Sequence, residues 1–590
     1  MRMRLRSLLF RNVATAAARA TGGVAPIRRS IRRVCSVVAL ALAMQLRAPS
    51  TSAQCEAGQL FAPLASAGDS FGQSMDIDGN ELVVGSRYSA TIFVRQDPGT
   101  PLDDTDDVWV VQTNLLGEAI SDGFGSEVAL DGDHLLVGAP FVGGFISAGA
   151  AYVFVRDDRG TAHDLTDDTW TEQAKLVPPV TDAVPQFGSS VALDGDRLAV
   201  GAPFGNLISG APKNGFVQVA RRDDNGTPDD RTDDNWITEA LLLPSDGGIF
   251  FGAGVHLFGS ELLVVGRTAE FVNRVYRYRL DDAGTPRDPA DDSWVANGLI
   301  LAPPGGEPGF GQDIDRDGGR MLIGGNEIAF EYLLDDANTP TDPLDDHWVP
   351  KGVLVPSDGG LTDSFGAAVS LRGERALVGA WKHVVDISPT GAAYLFQRDE
   401  TSADPVSRWT EVLKLASPFG GNAKKFGIAV LLAGDVAFVG DSGFFQFLAP
   451  ADTSTFGSTS IYAMAEFPWT FIDSALPGAG GVSPCLIGAG SLAPNSAVAL
   501  ILENAKAASL AAVVVGADIV SVPFKGGVLV PTPQYIAWLT TSTTGGAVVS
   551  GRWPSNIPAG FLLCVQTWML DPSGPAGFVA SNAVRGDAPR

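Results

Sequence analysis

The sequence predicts an all-β fold: a seven-bladed β-propeller followed by a C-terminal β-sandwich. Three observations predict it. The dipeptide Phe-Gly recurs at Phe71, Phe124, Phe187, Phe251, Phe310, Phe365 and Phe426, spaced 53 to 64 residues apart. A second glycine follows each Phe by 14 residues in six copies and by 15 in one: Gly85, Gly138, Gly201, Gly266, Gly324, Gly379 and Gly440. Between these marks, short apolar runs alternate with Gly- and Asp-rich turns, and almost no helix-period pattern occurs. A regular period of this size means one supersecondary unit copied and stacked. Four-stranded units in tandem read as propeller blades.

Residues 1–53 differ in kind from the rest. They contain ten Arg, no Lys and no acid, then an apolar run from Val34 to Leu46 and a small-residue stretch ending at Ala53. That is the layout of a secretory signal peptide with a long basic leading region, cleaved after Ala53. The expected localisation is exported: secreted, cell-surface or periplasmic. The apolar run is too short to span a bilayer, and no later run reaches ~18 uninterrupted apolar residues. Without this segment 31 basic residues face 67 acids, a charge of −36. Such a surface repels nucleic acid and anionic lipid and attracts cations.

Residues 54–467 carry the blades. In the third unit two apolar runs flank Asp194-Gly195, a hairpin signal because the dipeptide accepts positive φ. The same signal stands at Asp78-Gly79, Asp131-Gly132 and Asp317-Gly318. A third run follows, such as Ala150 to Arg156. A fourth opens with Trp, at Trp109, Trp170, Trp236, Trp294, Trp348 and Trp409. The seventh unit stops after its third strand, while Glu56 to Leu64 is an orphan strand before the first Phe-Gly. Lending that strand to the last blade completes the ring and buries both sheet edges. A solenoid of the same units would need capping repeats, which the sequence lacks.

Residues 468–590 lose the period and become rich in Val, Ala, Gly and Pro, with strand-like runs such as Ala497 to Leu502. This composition predicts a compact β-sandwich. Cys485 and Cys564 lie here; they can pair in an oxidising compartment or remain two buried thiols.

The units resemble the FG-GAP repeat family, also met in the propellers of integrin α-subunits. The likeness covers roughly residues 57–467 and rests on Phe-Gly, the following Asp-Gly turn and Gly-Ala-Pro, literal at Gly138 to Pro140 and Gly201 to Pro203. It implies a propeller scaffold that binds ligands outside the cell. The segments Pro523 to Pro531 and Gly574 to Asn582 resemble a C-terminal module of secreted proteins from planctomycete-type bacteria, for which surface retention is the expected role and a plain folding cap the alternative.

A second repeat lies between the third and fourth strands of the first five blades, an acidic loop ending in the Trp. Its carboxylates are Asp157, Asp158, Asp164, Asp167 and Asp168; Asp223, Asp224, Asp230, Asp233 and Asp234; Asp281, Asp282, Asp288, Asp291 and Asp292; Asp335, Asp336, Asp342, Asp345 and Asp346. The first copy retains Asp103, Asp106 and Asp107, and the sixth blade loses most of the acids. Five acids in one short loop repel one another unless neutralised, and oxygen ligands on flexible loops suit Ca²⁺. One weak Ca²⁺ site per loop is therefore expected, against the alternative of an Asx-turn hairpin in which Asp caps backbone amides. The string Asp313, Asp315, Asp317 before Gly318 adds half a calcium loop; its twelfth position is Gly324 where an EF-hand needs Glu.

Catalysis has little support. The five histidines, His134, His163, His256, His347 and His383, fall at unrelated repeat positions, and His134, His163 and His347 are expected to be exposed loop residues. No nucleophile elbow and no phosphate loop occurs. The expected function is a non-enzymatic propeller for adhesion, ligand binding or surface structure, with an extracellular protein or glycan as partner. The alternative is a hydrolase or lyase acting on extracellular polysaccharide through carboxylates around the central axis. Acids at one special blade and no other would favour that alternative; their even distribution over the blades favours the first.

Overall fold

The computed structural model describes residues 56–588, apart from 64–68, 97–107, 144–147, 162–163, 180–184, 206–213, 228–229, 284–290, 305–308, 337–345, 361, 386–387, 400–401, 403, 405–407, 418–424, 435, 443–456, 464–468, 473, 479–482, 490–491, 493, 495, 544, 556 and 559. The expected signal segment, Cys55, Asp103, Asp106, Asp107, His163, Asp288, Asp342 and Asp345 lie outside the described residues.

Each Phe-Gly unit folds into a four-stranded antiparallel meander, and there are seven such sheets. In blade 2 the strands are Glu127–Asp131, His134–Ala139, Ala150–Asp157 and Thr169–Leu176. The second strand is buried on both faces, which is why it reads as a continuous apolar run. The fourth strand alternates more weakly and lies at the rim. The seventh sheet takes its outer strand from the other end of the chain: Glu56–Leu60 pairs antiparallel with Ser458–Ala463, Leu60 opposite Thr459. This pairing removes an exposed edge and locks the two ends of the array together.

The innermost strands touch in succession, and the last touches the first. One apolar core fills each junction. Val83 and Ile92 of blade 1 pack with Phe124 and Tyr152 of blade 2. Phe438 and Val436 of blade 7 pack with Phe71 and Leu82 of blade 1, where Trp109 meets Phe438 edge-on at 5.4 Å. Every Phe of the Phe-Gly pairs is buried. Most meet an aromatic ring of their own third strand edge-on, as Phe124 meets Tyr152 at 5.3 Å and Phe365 meets Tyr394 at 5.6 Å.

The two glycine series meet at the junctions. A Cβ on Gly138 would lie 2.2 Å from the Gly188 carbonyl oxygen of the next blade, and a Cβ on Gly440 would lie 1.9 Å from that of Gly72. The second contact joins blade 7 to blade 1. Blade 4 is the exception: its interval is 15, so Val265 faces the inner strand where a glycine stands elsewhere, and Gly311 of blade 5 abuts the Val265 side chain.

The hairpin turn refines the expected signal. Asp131 pairs with His134, so the two turn residues are Gly132 and Asp133, and only the glycine has positive φ, at 56°. Glycine at the first central position suits a type II′ turn. Asp131 is thus the last strand residue, and its carboxylate is free to reach the next blade.

In the C-terminal region a five-stranded sheet contains Trp469–Ile472, Leu510–Gly516, Tyr535–Thr540, Leu562–Leu570 and Phe578–Asp587. A three-stranded sheet contains Cys485–Ala489, Ala497–Glu503 and Ala547–Arg552. Both contribute to one apolar core, including Trp469, Leu486, Leu502, Val565 and Val584. Of the two alternatives for Cys485 and Cys564, a mutual disulfide or two buried thiols, neither holds for the pair. Cys564 is a free buried thiol, pushed up to about 11 by burial, whereas Cys485 is disulfide-bonded elsewhere. The two sulfurs sit in separate apolar clusters on different sheets, which keeps them apart.

Replacing Gly138 by Ala is expected to cost about 3 kcal/mol or more, because backbone must move to admit the methyl group. Gly132→Ala meets nothing within 4 Å and carries only the left-handed backbone cost, about 1–2 kcal/mol. Urea denaturation midpoints of the two variants check this order.

Candidate functional site in the axial channel

Seven inner strands around one axis leave a cavity of about 330 Å³, lined by residues from every blade. Counting from each Phe, positions three, four and five of every inner strand line it, and the acids and His256 stand at three and five. Position three holds Ser74, Glu127, Ser190, Gly254, Asp313, Ala368 and Ala429 in chain order. Position five holds Asp76, Ala129, Ala192, His256, Asp315, Ser370 and Leu431. Ionisable groups therefore concentrate in blades 1, 2, 4 and 5, with Arg372 added from blade 6.

Inner strands of neighbouring blades leave backbone N–H groups unpaired at their edges, and a buried orphan donor is costly. Side chains of the preceding blade accept from them. In blade 1, Ser74 Oγ accepts from Val128 N at 3.0 Å, Asp76 Oδ2 from Leu130 N at 2.8 Å and Asp78 Oδ2 from Gly132 N at 2.8 Å. In blade 5, Asp313 Oδ2 accepts from Val369 N at 2.7 Å, Asp315 Oδ2 from Leu371 N at 2.7 Å and Asp317 Oδ2 from Gly373 N at 2.5 Å. Asp131 and Asp194 repeat the rim bond to Gly195 N and Gly259 N. The three acids of blade 5 form the string Asp313, Asp315, Asp317 singled out in the sequence. It runs through a strand, Ile314–Asp317, in which alternate carboxylates fasten blade 6.

Glu127 differs from these acids. Its one hydrogen bond comes from Ser74 Oγ at 3.3 Å, and Asp313 stands opposite as a like charge. Burial, reinforced by Asp313, pushes Glu127 up to about 8. Burial also raises Asp76 to about 7 and Asp313 to about 6, against the opposing pull of their backbone hydrogen bonds. Burial moves His256 the other way, down to about 4, so its imidazole is neutral at physiological pH. Arg372 Nη1 donates to Asp315 at 3.0 Å, which leaves Asp76, Glu127 and Asp313 without a basic partner of their own among the lining residues.

The acidic loops lie apart from the channel, between third and fourth strands. Asp157 and Asp158 accept from Arg159 N and Gly160 N at 2.9 Å, and Asp164 accepts from Thr166 N and Oγ1. Asp167 accepts from Thr161 Oγ1 at 2.7 Å. The next blade repeats the pattern with Asp223, Asp224, Asp230 and Asp233, and Asp281 accepts from Ala283 N. The acid two before the Trp turns inward to an Arg: Asp168 to Arg156, Asp234 to Arg222, Asp292 to Arg197 and Asp346 to Arg279. Asp282 is half-buried; Asp291, Asp335 and Asp336 are exposed. Asx turns and ion pairs thus engage these loop acids. Among the described residues no three His, Cys, Asp or Glu side chains gather as a metal site.

Sequence reasoning singled out Asp313 and Asp315 but missed Asp76, Glu127 and His256, because their signal is positional: third and fifth after Phe, visible only once the inner strands are known to surround an axis. It also misplaced His134, which is 4% exposed and stacks edge-on against Trp236 at 5.6 Å. His347 is exposed beside Asp335, as expected. His383 is buried, its Nδ1 2.6 Å from Asp363 Oδ2 and its Nε2 2.8 Å from Lys414 Nζ.

A carboxyl whose pKa is raised by folding binds its proton more tightly in the native state, so stability is full at low pH and falls as pH rises through the folded value. For Glu127 the loss runs from the ordinary glutamate value of 4.5 up to about 8, and its upper part, about pH 6.5–8, lies above the range where His256 acts in the opposite sense. The melting temperature is expected to fall across it, and Glu127→Gln to flatten the decline by on the order of 1 kcal/mol per pH unit. Comparison with the parent isolates Glu127 from Glu81, which burial raises to about 7. Identical slopes would show that Glu127 ionises freely in a wet channel.

Four segments, residues 56–99, 117–154, 170–219 and 348–396, match the FG-GAP repeat family. No curated protein matches the chain. A solved structure, the Saccharomyces cerevisiae core factor, aligns with 10% identity and a TM-score of 0.35 over 66% of this chain and 55% of its own, too slight a likeness to carry an argument. The period, the paired glycines and the matched segments agree: the chain carries FG-GAP repeats over these four segments.

Proposed function

We propose that this protein is an exported, non-enzymatic binding propeller whose axial channel receives the ligand. One observation carries the reading: ionisable groups line the channel in a few blades only, while the glycine and aromatic scaffold is common to all. Asp76, Asp313 and Asp315 each have both oxygens engaged by backbone N–H groups. Acceptors fixed in this way recognise a ligand but have little freedom to shuttle protons. The basic leader segment supports export, and among the described residues no helix is long and apolar enough to cross a membrane.

The C-terminal sheets supply an attachment surface on this reading. The strand Tyr535–Thr540 lies at the edge of its sheet and leaves Tyr535 66%, Ile536 48% and Trp538 65% exposed. Exposed apolar residues on an unpaired edge suit docking to another surface.

The uneven acids also support the second reading, a polysaccharide hydrolase or lyase, in which Glu127 would be the acid. A glycan array run beside a hydrolysis screen separates the two. Binding without turnover is expected; turnover abolished by Glu127→Gln would establish the enzyme. Weak Ca²⁺ uptake by the acidic loops is a subsidiary proposal. Calorimetry at millimolar Ca²⁺ tests it, with neither heat nor a rise in melting temperature removing calcium from the account.

A further inference from the structure

We propose that Cys485 pairs with Cys55, and that this disulfide clasps the ring-closing strand of the propeller to the C-terminal sheets. The chain has four cysteines, Cys35, Cys55, Cys485 and Cys564. Cys485 is disulfide-bonded and Cys564 is a free thiol, so the partner of Cys485 is Cys35 or Cys55. Cys35 stands in the apolar run of the leader, ahead of the cleavage point after Ala53. The inference rests here on the export reading, which removes Cys35 with the leader. Cys55 is the partner that remains.

Strand register points to the same residue independently. Glu56 follows Cys55 in the chain and opens the strand Glu56–Leu60, antiparallel to Ser458–Ala463 with Glu56 opposite Tyr462. That direction brings the start of the strand to the place where the chain leaves blade 7. Trp469, the first residue of the five-stranded C-terminal sheet, follows soon after. Its strand Trp469–Ile472 touches the outer strand of blade 6, Trp409–Ala416, so this sheet stands against the propeller.

The C-terminal sheets also explain why Cys485 looks outward for a partner. Leu486 and Val565 join the core shared by the two sheets. Their chain neighbours Cys485 and Cys564 therefore face away from it, on opposite sides. Stacked sheets lie about 10 Å apart, whereas a disulfide needs Cα atoms within about 7 Å. Cys485 instead sits with Ile487 and Ile501 in a separate cluster, at 1%, 2% and 4% exposure.

The clasp has a mechanical role. Glu56–Leu60 is the outermost strand of its sheet, with a single ladder partner, and terminal strands of this kind fray first. Leu60 and Ala62 fill the core between blades 7 and 1, so losing the strand opens the ring at its seam. A covalent tie at the end of that strand constrains the unfolded chain and holds the seam. Forming it is an oxidation: two thiols lose their protons, one S–S bond forms, and two electrons reduce the disulfide of a thiol oxidoreductase to its dithiol. Such exchange belongs to an oxidising compartment.

Peptide mapping of the exported protein without reduction tests the inference. The expected result is one cross-linked pair containing Cys55 and Cys485, a mature N-terminus at Gln54, and a single thiol titrated in denaturant, Cys564. Cys55→Ser is expected to free the Cys485 thiol and lower the melting temperature by roughly 5 °C. Reductant is expected to bring the parent down to the same value and leave the variant unchanged. A Cys485–Cys564 pair, a bond between two copies, three titratable thiols, or a parent melting temperature indifferent to reductant would overturn the inference. A Cys35–Cys485 bond would overturn it together with removal of the leader. A mature N-terminus at Gln54 with Cys485 unpaired would overturn it and leave export standing. Mapping the parent decides the pairing even where Cys55→Ser fails to fold.

Discussion

The close approach of backbone at the blade junctions is the constraint on which the rest of the structure depends. At most junctions the Phe-Gly glycine presents its carbonyl where a side chain on the second-strand glycine would otherwise sit, at separations no Cβ tolerates. This contact sets how near consecutive inner strands lie, and hence how wide the axis is. Gly440 against Gly72 applies the same rule between the last blade and the first, so the ring closes by a repeat contact, helped by the borrowed strand Glu56–Leu60. Blade 4 shows the tolerance of the arrangement: an extra residue puts Val265 at the junction, and the neighbour accommodates a side chain.

Bringing inner strands this close creates a second problem, because their edges carry backbone donors with no ladder partner. The protein answers with carboxylates and hydroxyls from the preceding blade. That solution concentrates acids near the axis and spends most of their hydrogen-bonding capacity on structure. Glu127 and His256 stand outside this economy of partners. Both line the cavity, both are shifted by burial, and neither is needed to satisfy a neighbouring backbone group.

At the opposite radius the acidic loops follow the same logic with cheaper means. Asx turns use exposed carboxylates to shape the loop, and the acid nearest the Trp is drawn inward to an Arg. Asp168 and Asp234 have side chains at 1% and 0% exposure, so their pairing with Arg156 and Arg222 is what makes their burial tolerable. Removing only one partner would strand a buried charge. Trp170 and Trp236 then bond to Gln112 and Gln173 of the preceding blade, extending the inter-blade contacts to the rim.

The sequence by itself determined the repeat, the strand order within a unit and the need for an eighth source of strand to finish the last sheet. It could do so because Phe, the paired glycines and the turn glycine each answer a local demand: burial, close approach and positive φ. Acid use was beyond it. Asp313, Asp315 and Asp317 read as half a calcium loop, since one-dimensional spacing does not distinguish a loop wrapped round an ion from a strand whose alternate side chains face a neighbour. Cys485 and Cys564 share a region, which left their pairing open, and the two sheets hold them in different clusters. His134 looked exposed beside a turn until Trp236 of the next blade covered it. Glu127 and His256 carried no motif at all. Only the tertiary structure, by arranging seven strands around one axis, brought residues from distant units to a common level and gave their charges a shared enclosure in which to interact.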